Sequence, residues 1–208
     1  EIFNTNSGWR KTYTMEQWQI ERSEDVGSTR SPLRKSPYTT VSELSSDLIV
    51  NGTVDASVSG WTAFPANGQV TRDLTYLDNG SLKAYLPNNS LYYDMFTKNT
   101  NLFSVQNGQW YRMRFSLQSD MHGVVRAGIK GESQWSLPYG IEEKPFPFSP
   151  ERRDVEMYFQ SNLTDQAHML FISNYLEPRY WIDNAELHKV TVAELDPTLD
   201  HVLLLNDQ

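Results

Sequence analysis

The chain contains no cysteine. That absence excludes disulfides, thiolate metal sites and cysteine nucleophiles. It leaves the compartment open, because many secreted bacterial proteins also lack cysteine. Long apolar runs are missing too. The longest, such as Leu203-Leu204-Leu205, falls far short of the roughly 20 residues that a membrane-spanning helix needs. Histidine is scarce, with 4 residues and no clustered spacing, so a histidine-built metal site is not expected. Positive charge is in deficit: 18 Lys and Arg stand against 26 Asp and Glu, a net charge of -8. With no basic tail, this balance argues against a nucleic-acid binder. What the sequence does hold is aromatic. There are 6 Trp, 11 Tyr and 9 Phe in 208 residues. That share is too high for a disordered chain, and the length suits one domain, or one domain with an extension. Trp and Tyr exceed what a core of this size uses, which is the first functional signal. The chain starts at Glu1 and ends just after Val202–Leu205. It reads as a piece of a longer protein.

Composition divides the chain in three. Residues 1–47 read as an N-terminal extension or linker, a possible remnant of a preceding domain. Within it, Thr14 to Arg22 suits a short helix, with Thr14 as N-cap and Gln17 three residues on. Ser23 to Ser46 is rich in Ser, Thr, Pro and Arg and reads as loop. Residues 48–192 alternate in short segments. Leu48–Val50, Ser81–Leu86, Leu91–Phe96, Trp110–Leu117, Val124–Lys130, Asp154–Gln160, His168–Tyr175 and Tyr180–Val192 all read as strands. Pro138 to Pro150 reads as a long loop. The expected fold is all-β, an antiparallel β-sandwich or jelly roll. Residues 193–208 read as a C-terminal linker or the start of a further domain.

Alternation assigns faces. Tyr111, Met113, Phe115 and Leu117 point one way; Trp110, Arg112, Arg114 and Ser116 point the other. In the next strand Val125, Ala127 and Ile129 read as core, leaving Arg126 and Lys130 outside. Val155, Met157 and Phe159 likewise leave Tyr158 and Gln160 outside. One non-core face then carries Trp110, Arg112, Arg114, Arg126, Lys130, Tyr158 and Gln160. Pyranose rings stack on Trp and Tyr faces, and Arg forks pair with uronate carboxylates or sulfates. The same face also reads as ordinary solvated cross-strand pairs, and sequence leaves both readings open. Trp61 and Trp181 read as packing residues. Trp135 and Tyr139, in or beside the Pro-rich loop, are the loop candidates for ligand contact.

Several stretches resemble carbohydrate-binding modules of the broad family 4/9/22 type. Leu48-Ile49-Val50-Asn51-Gly52-Thr53-Val54-Asp55 followed by Gly60-Trp61 resembles their opening motif. Gly80–Ala84 is similar to their next strand, and Gly108-Gln109-Trp110-Tyr111 through Phe115 to their Gly-x-x-Tyr-x-x-x-Phe strand. Tyr180-Trp181-Ile182-Asp183-Asn184-Ala185 resembles the closing strand. The resemblance implies a jelly roll over about residues 48–192 and a structural calcium. Asp55 and Asp183 would be the acids at that calcium, helped by backbone carbonyls near Gly52 and Lys83. Tyr13 to Gln19, with Asp25 and Ser28, resembles the segment that closes some secreted right-handed parallel β-helix proteins. That resemblance implies a polysaccharide-acting parent.

The function expected is non-catalytic polysaccharide binding by an accessory module of a secreted, extracellular or cell-surface carbohydrate-active enzyme. The binding residues would be Trp110, Arg112, Arg114, Arg126, Trp135, Tyr139 and Tyr158. The expected partners are a polysaccharide, with the arginines suggesting an anionic one, and a tethered catalytic domain. No nucleic acid or membrane partner is expected, and the module would be a monomer. Two alternatives stand beside this reading. A lyase on the same scaffold would use His122, read in a hairpin turn at Asp120-Met121-His122, or His168, with Tyr158 and Arg112 or Arg114, and a hydrolase would use paired carboxylates among Glu132, Glu142, Glu143, Glu151 and Asp154. A structural spacer would have no ligand.

Overall fold

The computed structural model describes residues 2–4, 9–11, 38–64, 68–77, 80–87, 95–132, 144–173 and 179–194. These residues hold strands and no helix. The helix expected from Thr14 lies outside them. Strands β1 (Ile2–Asn4) and β2 (Trp9–Lys11) form a small antiparallel pair. The others are β3 (Tyr38–Glu43), β4 (Trp61–Phe64), β5 (Gln69–Asp73), β6 (Ser81–Tyr85) and β7 (Met95–Asn99). They continue with β8 (Phe103–Val105), β9 (Trp110–Gln118), β10 (Gly123–Gly131), β11 (Lys144–Phe148), β12 (Arg153–Gln160), β13 (Asp165–Ser173) and β14 (Arg179–Glu194). They make two antiparallel sheets. Sheet I runs β12-β9-β14-β6-β5, with β3 on the far end of β14. Sheet II runs β11-β10-β13-β7-β4, with β8 on β13. The expected all-β sandwich is the observed architecture.

Period-2 alternation builds the core between the sheets. Tyr111, Met113, Phe115 and Leu117 of β9, at 2% exposure or less, point inward. Val125, Ala127 and Ile129 of β10 and Ala167, Met169 and Phe171 of β13 meet them. Phe115 and Phe171 join the two sheets edge to face, centroids 5.0 Å apart. The sixteen-residue β14 keeps Ile182, Ala185 and Leu187 in the core. The three-residue step from Ile182 to Ala185 requires an extra residue. It is taken up by a bulge between Asp183 and Glu186, with Asn184 at φ 51°.

Against that bulge lies the chain that precedes β4. Leu48–Val50 is not a strand. Residues 44–52 instead run along the edge of β14 in the gap between β3 and β6. Leu44 N–H donates to Lys189 O (2.7 Å) and Leu48 N–H to Leu187 O (2.8 Å). Ala185 N–H donates to Gly52 O (3.1 Å), and Asp47 Oδ1 accepts from Leu187 N–H (2.9 Å). A Cβ at Gly52 would sit 1.9 Å from Ala185 O, so only glycine admits this approach. Asn51, at φ 57°, ties the loop back on itself through Nδ2 to Ser57 O (2.7 Å) and Ser59 O (2.9 Å). Its own carbonyl accepts the Trp61 indole N–H at 3.0 Å. The opening and closing motifs noted in the sequence therefore meet at one seam.

Three further differences from the sequence reading have physical reasons. Tyr38–Glu43, read as linker, is a strand of sheet I. Its short β-prone run Tyr38-Thr39-Thr40-Val41 lacks alternation and sits in a Ser- and Pro-rich background that hides it. Lys144–Phe148, read as loop, is β11. It sits at the edge of sheet II and pairs with β10 alone, a position where Pro145 and Pro147 are tolerated because one side needs no donor. Asp120-Met121-His122 does not close a hairpin, because β9 and β10 belong to different sheets. Gly52→Ala is expected to destabilise the fold by at least about 1–3 kcal/mol, as overpacking against fixed backbone does. Urea denaturation, with a lowered midpoint at unchanged m-value, checks this.

Candidate functional site

The single face expected from alternation is divided by the topology. Trp110, Arg112, Arg114, Tyr158 and Gln160 lie together on the outer side of sheet I, because β9 and β12 pair in register: Arg112 opposite Tyr158, Arg114 opposite Glu156, Trp110 opposite Gln160. Arg126 and Lys130 belong to β10 in sheet II. The sandwich separates them from the others, and the expected single face is corrected to two. Alternation along β9 and β10 looks alike whichever sheet each strand joins, so sequence carried no signal of this division. Trp135 and Tyr139 lie outside the described residues, in the connection between β10 and β11.

On sheet I, β14 adds Val190, His188 and Glu186 opposite Trp110, Arg112 and Arg114. Arg114 is exposed and ion-paired with Glu156. Strand β3 then covers the centre of the face. The Tyr38 ring lies on Trp110, centroids 4.7 Å apart at 50°. Thr40 Oγ1 is 3.0 Å from the Tyr158 hydroxyl and accepts from Arg112 Nη1 at 3.4 Å. Glu43 pairs with Arg112 Nη2, and His188 Nδ1 lies 3.7 Å from the same carboxylate. Arg112 is left only 6% exposed, and Trp110 and Tyr158 are half-buried. The hydrogen bond and charge of Arg112 hold the Glu43 carboxyl below its ordinary value of 4.5, with His188 and Arg114 adding to the effect. Burial pushes the Tyr158 hydroxyl up, and the charge of Glu156 adds to it. Further along the same side, Trp181 is 2% exposed. It lies under Tyr76 (4.5 Å) and Lys83 Nζ (5.1 Å), outside the main core cluster.

The outer side of sheet II is different in kind. Register places Arg126 opposite Ile172, Gly128 opposite Leu170 and Lys130 opposite His168, and Lys98 opposite both Leu170 and Thr62. Phe64, at the end of β4, is 60% exposed. His168 is 4% exposed, with Nδ1 2.8 Å from Asn99 O and Nε2 2.6 Å from Glu132 Oε2. This face combines cations, an aromatic and a fixed His–Glu pair. Sequence reasoning missed Phe64, Lys98 and Glu132 as neighbours of Arg126, since they come together only through strand order. The lyase grouping does not assemble among the described residues. His168 is on sheet II while Tyr158, Arg112 and Arg114 are on sheet I, and His122 is exposed in the β9–β10 connection.

The acids expected at a calcium lie near the opening–closing seam. Asp183 is 2% exposed and its Oδ1 accepts the Asn184 N–H at 2.7 Å. Asp55 is exposed. Gly52 O, brought close by the missing side chain, accepts from Ala185 and keeps a second lone pair. Carboxylate and carbonyl oxygens suit a hard cation in kind. Among the described residues no three His, Cys, Asp or Glu form a metal cluster.

No protein-family model matches the chain, and no curated protein matches it. Solved structures do. The xylan-binding domain CBM22-1 of Paenibacillus barcinonensis Xyn10C is similar at TM-score 0.51 and 11% identity, over 74% of this chain and 100% of that one. The chain shares the antiparallel β-sandwich fold of that domain. The enzymatically active domain of bacteriophage CBA120 tailspike protein 4 is similar at TM-score 0.51 and 11% identity, over 69% of this chain. This chain spans 21% of that structure's length. The N-terminal cellulose-binding domain of Cellulomonas fimi β-1,4-glucanase C is similar at TM-score 0.48 and 20% identity, over 71% of this chain and 97% of that one. At these identities the module likeness concerns the fold alone.

The sign of the Glu43 shift sets a pH dependence for the β3 contacts on this module fold. A carboxylate held below its ordinary value adds stability that is complete above that value and lost as pH falls through the lowered one. Acidification below about pH 4.5 is therefore expected to loosen β3. Amide exchange of Thr39–Ser42 across the acid range checks this, and Glu43→Gln should flatten the profile.

Proposed function

We propose that the chain is a non-catalytic polysaccharide-binding module of a secreted carbohydrate-active protein. The observation that carries the reading is the fold likeness to a xylan-binding domain over that domain's whole length. The face we assign to the glycan is the outer side of sheet II. Arg126 and Lys98, both partly exposed, give it a cationic character on a protein of net charge -8, with Lys130 buried on the same side. Phe64 offers an exposed apolar ring for C–H stacking. We assign Trp135 and Tyr139, which lie in the sequence between β10 and β11, to the same glycan contact. On sheet I, Trp110, Arg112 and Tyr158 are engaged by β3. Arginine at the site favours a glycan that carries acid groups. Tethering such a module to a catalytic domain raises the enzyme's local concentration on its substrate.

We also infer a structural calcium at the seam, held by Asp55 and Asp183 with the Gly52 carbonyl. Bound calcium would link the opening loop to β14 and stabilise the folded state by mass action. Residues 1–37 would connect the module to a polysaccharide-acting domain.

Affinity electrophoresis tests the binding reading. Retardation on acidic xylan or pectin is expected for the wild type, with a loss of tenfold or so in affinity for Trp135→Ala and for Arg126→Ala, the scale of a stacked aromatic or a charged hydrogen bond. No retardation on any polysaccharide would leave a ligand-free spacer. For the metal, EDTA is expected to lower the melting temperature and added calcium to restore it. An unchanged melt in EDTA, with no calcium in elemental analysis, would remove the ion.

A further inference from the structure

Strand β3 lays three chemically different groups on the outer side of sheet I, each on a residue suited to a sugar. An aromatic ring rests on Trp110, where a pyranose face would stack. A hydroxyl, that of Thr40, meets the Tyr158 hydroxyl at 3.0 Å, as a sugar hydroxyl would. A carboxylate, that of Glu43, pairs with Arg112, as a uronate would. We infer that β3 is an internal stand-in for a uronate-bearing glycan, and that the face beneath it is a second carbohydrate site. This rests on the carbohydrate-binding reading of the fold, but uses a different sheet and different residues from the face assigned above.

The fit of the stand-in is incomplete at one atom. Arg112 is 6% exposed, and its Nε is buried with no hydrogen-bond partner. Buried guanidinium donors are costly to leave unmade. Glu43 engages the Nη2 prong, and Thr40 takes Nη1. A free carboxylate, not tied to a strand backbone, can take Nε and Nη2 together in the two-pronged geometry that guanidinium favours. The site therefore holds an unused donor that a sugar acid would satisfy and Glu43 does not. The stand-in is also placed to leave. Among the described residues β3 pairs with β14 alone, its Val41 is 64% exposed, and the Glu43 side chain is 46% exposed. Around it, Arg114, Glu156, Gln160 and His188 form the rim of the face.

The test uses the full chain and calorimetric titration with oligogalacturonate, a neutral xylo-oligosaccharide and a sulfated galactan oligosaccharide. Replacing the mimic with Tyr38→Ala/Glu43→Gln is expected to raise oligogalacturonate affinity by about tenfold, the gain from freeing a site occupied nine parts in ten. Adding Arg112→Ala should abolish the gain, Tyr158→Phe should reduce it, and Arg126→Ala should leave it intact. In the wild type, oligogalacturonate should speed amide exchange at Thr39–Ser42, a readout that requires no variant to fold. A wild type that binds xylan while the double variant gains nothing would overturn the second site and leave the first standing. A gain that survives Arg112→Ala, or unchanged exchange in β3 at saturating oligogalacturonate, would also overturn it. A gain for the sulfated oligosaccharide alone would overturn the uronate assignment.

Discussion

The contact on which most of the molecule depends is the approach of Gly52 to the bulge of β14. A peptide carbonyl and a peptide N–H meet there because one residue has no side chain. The contact fixes where residues 44–52 run, and so fills the gap in sheet I between β3 and β6. It holds Asn51 in a left-handed conformation that caps the loop and receives the Trp61 indole. It also sets the phase of β14 past Asp183. That phase puts Leu187 in the core and His188 beside Arg112. The seam is thus felt in both the core and the outer face of sheet I, at residues far apart in the chain.

Ion pairs cross the outer side of sheet I. On sheet I nearly every charged group has an opposite neighbour within the face: Arg112 with Glu43, Arg114 with Glu156, and Arg152 with Asp154. Exposed pairs of this sort contribute little stability. What they do is position: they hold β3 and β12 in register and keep Arg112 from standing as a lone buried charge. Sheet II places cations on the same side as an exposed ring and a buried His168 that meets the exposed Glu132, on strands whose inner sides are apolar. A rigid sheet is a suitable base for a binding surface, because the backbone beneath the contacting groups does not move.

Much of the fold was legible in the sequence, and the reason is visible in β9. Each inward residue is large and apolar and each outward one is polar or amphipathic, so residue type alternates even where the outward Arg112 and Ser116 are also buried. The same agreement exposed β10, β12 and the closing strand. Three edge strands with weaker alternation were illegible for the opposite reason. β3, β5 and β11 each bury part of one side and pair along one edge, so Thr, Gln and Pro serve there as well as Val. Placement of side chains on a face was legible; the identity of the face was not. Arg126 and Arg112 look equivalent along their strands, yet they sit on opposite sides of the sandwich. The burial of Arg112 depends on Glu43, 69 residues away, and no local pattern encodes it. Trp135 and Tyr139 rest on connectivity alone.

The register of β3 on β14 has a mechanical side. Tyr38, where β3 starts, is the direct partner of Glu194, where β14 stops. The chain enters and leaves the sandwich side by side. If neighbouring domains pull on both connections, the load falls on one rung of an antiparallel ladder at a time, so the pair peels rather than shears. Peeling needs little force, and it starts at Tyr38, the residue that lies on Trp110. Drag on a polymer-bound protein would therefore be transmitted first to the aromatic contact at the end of β3, while the doubly paired middle of β14 stays closed.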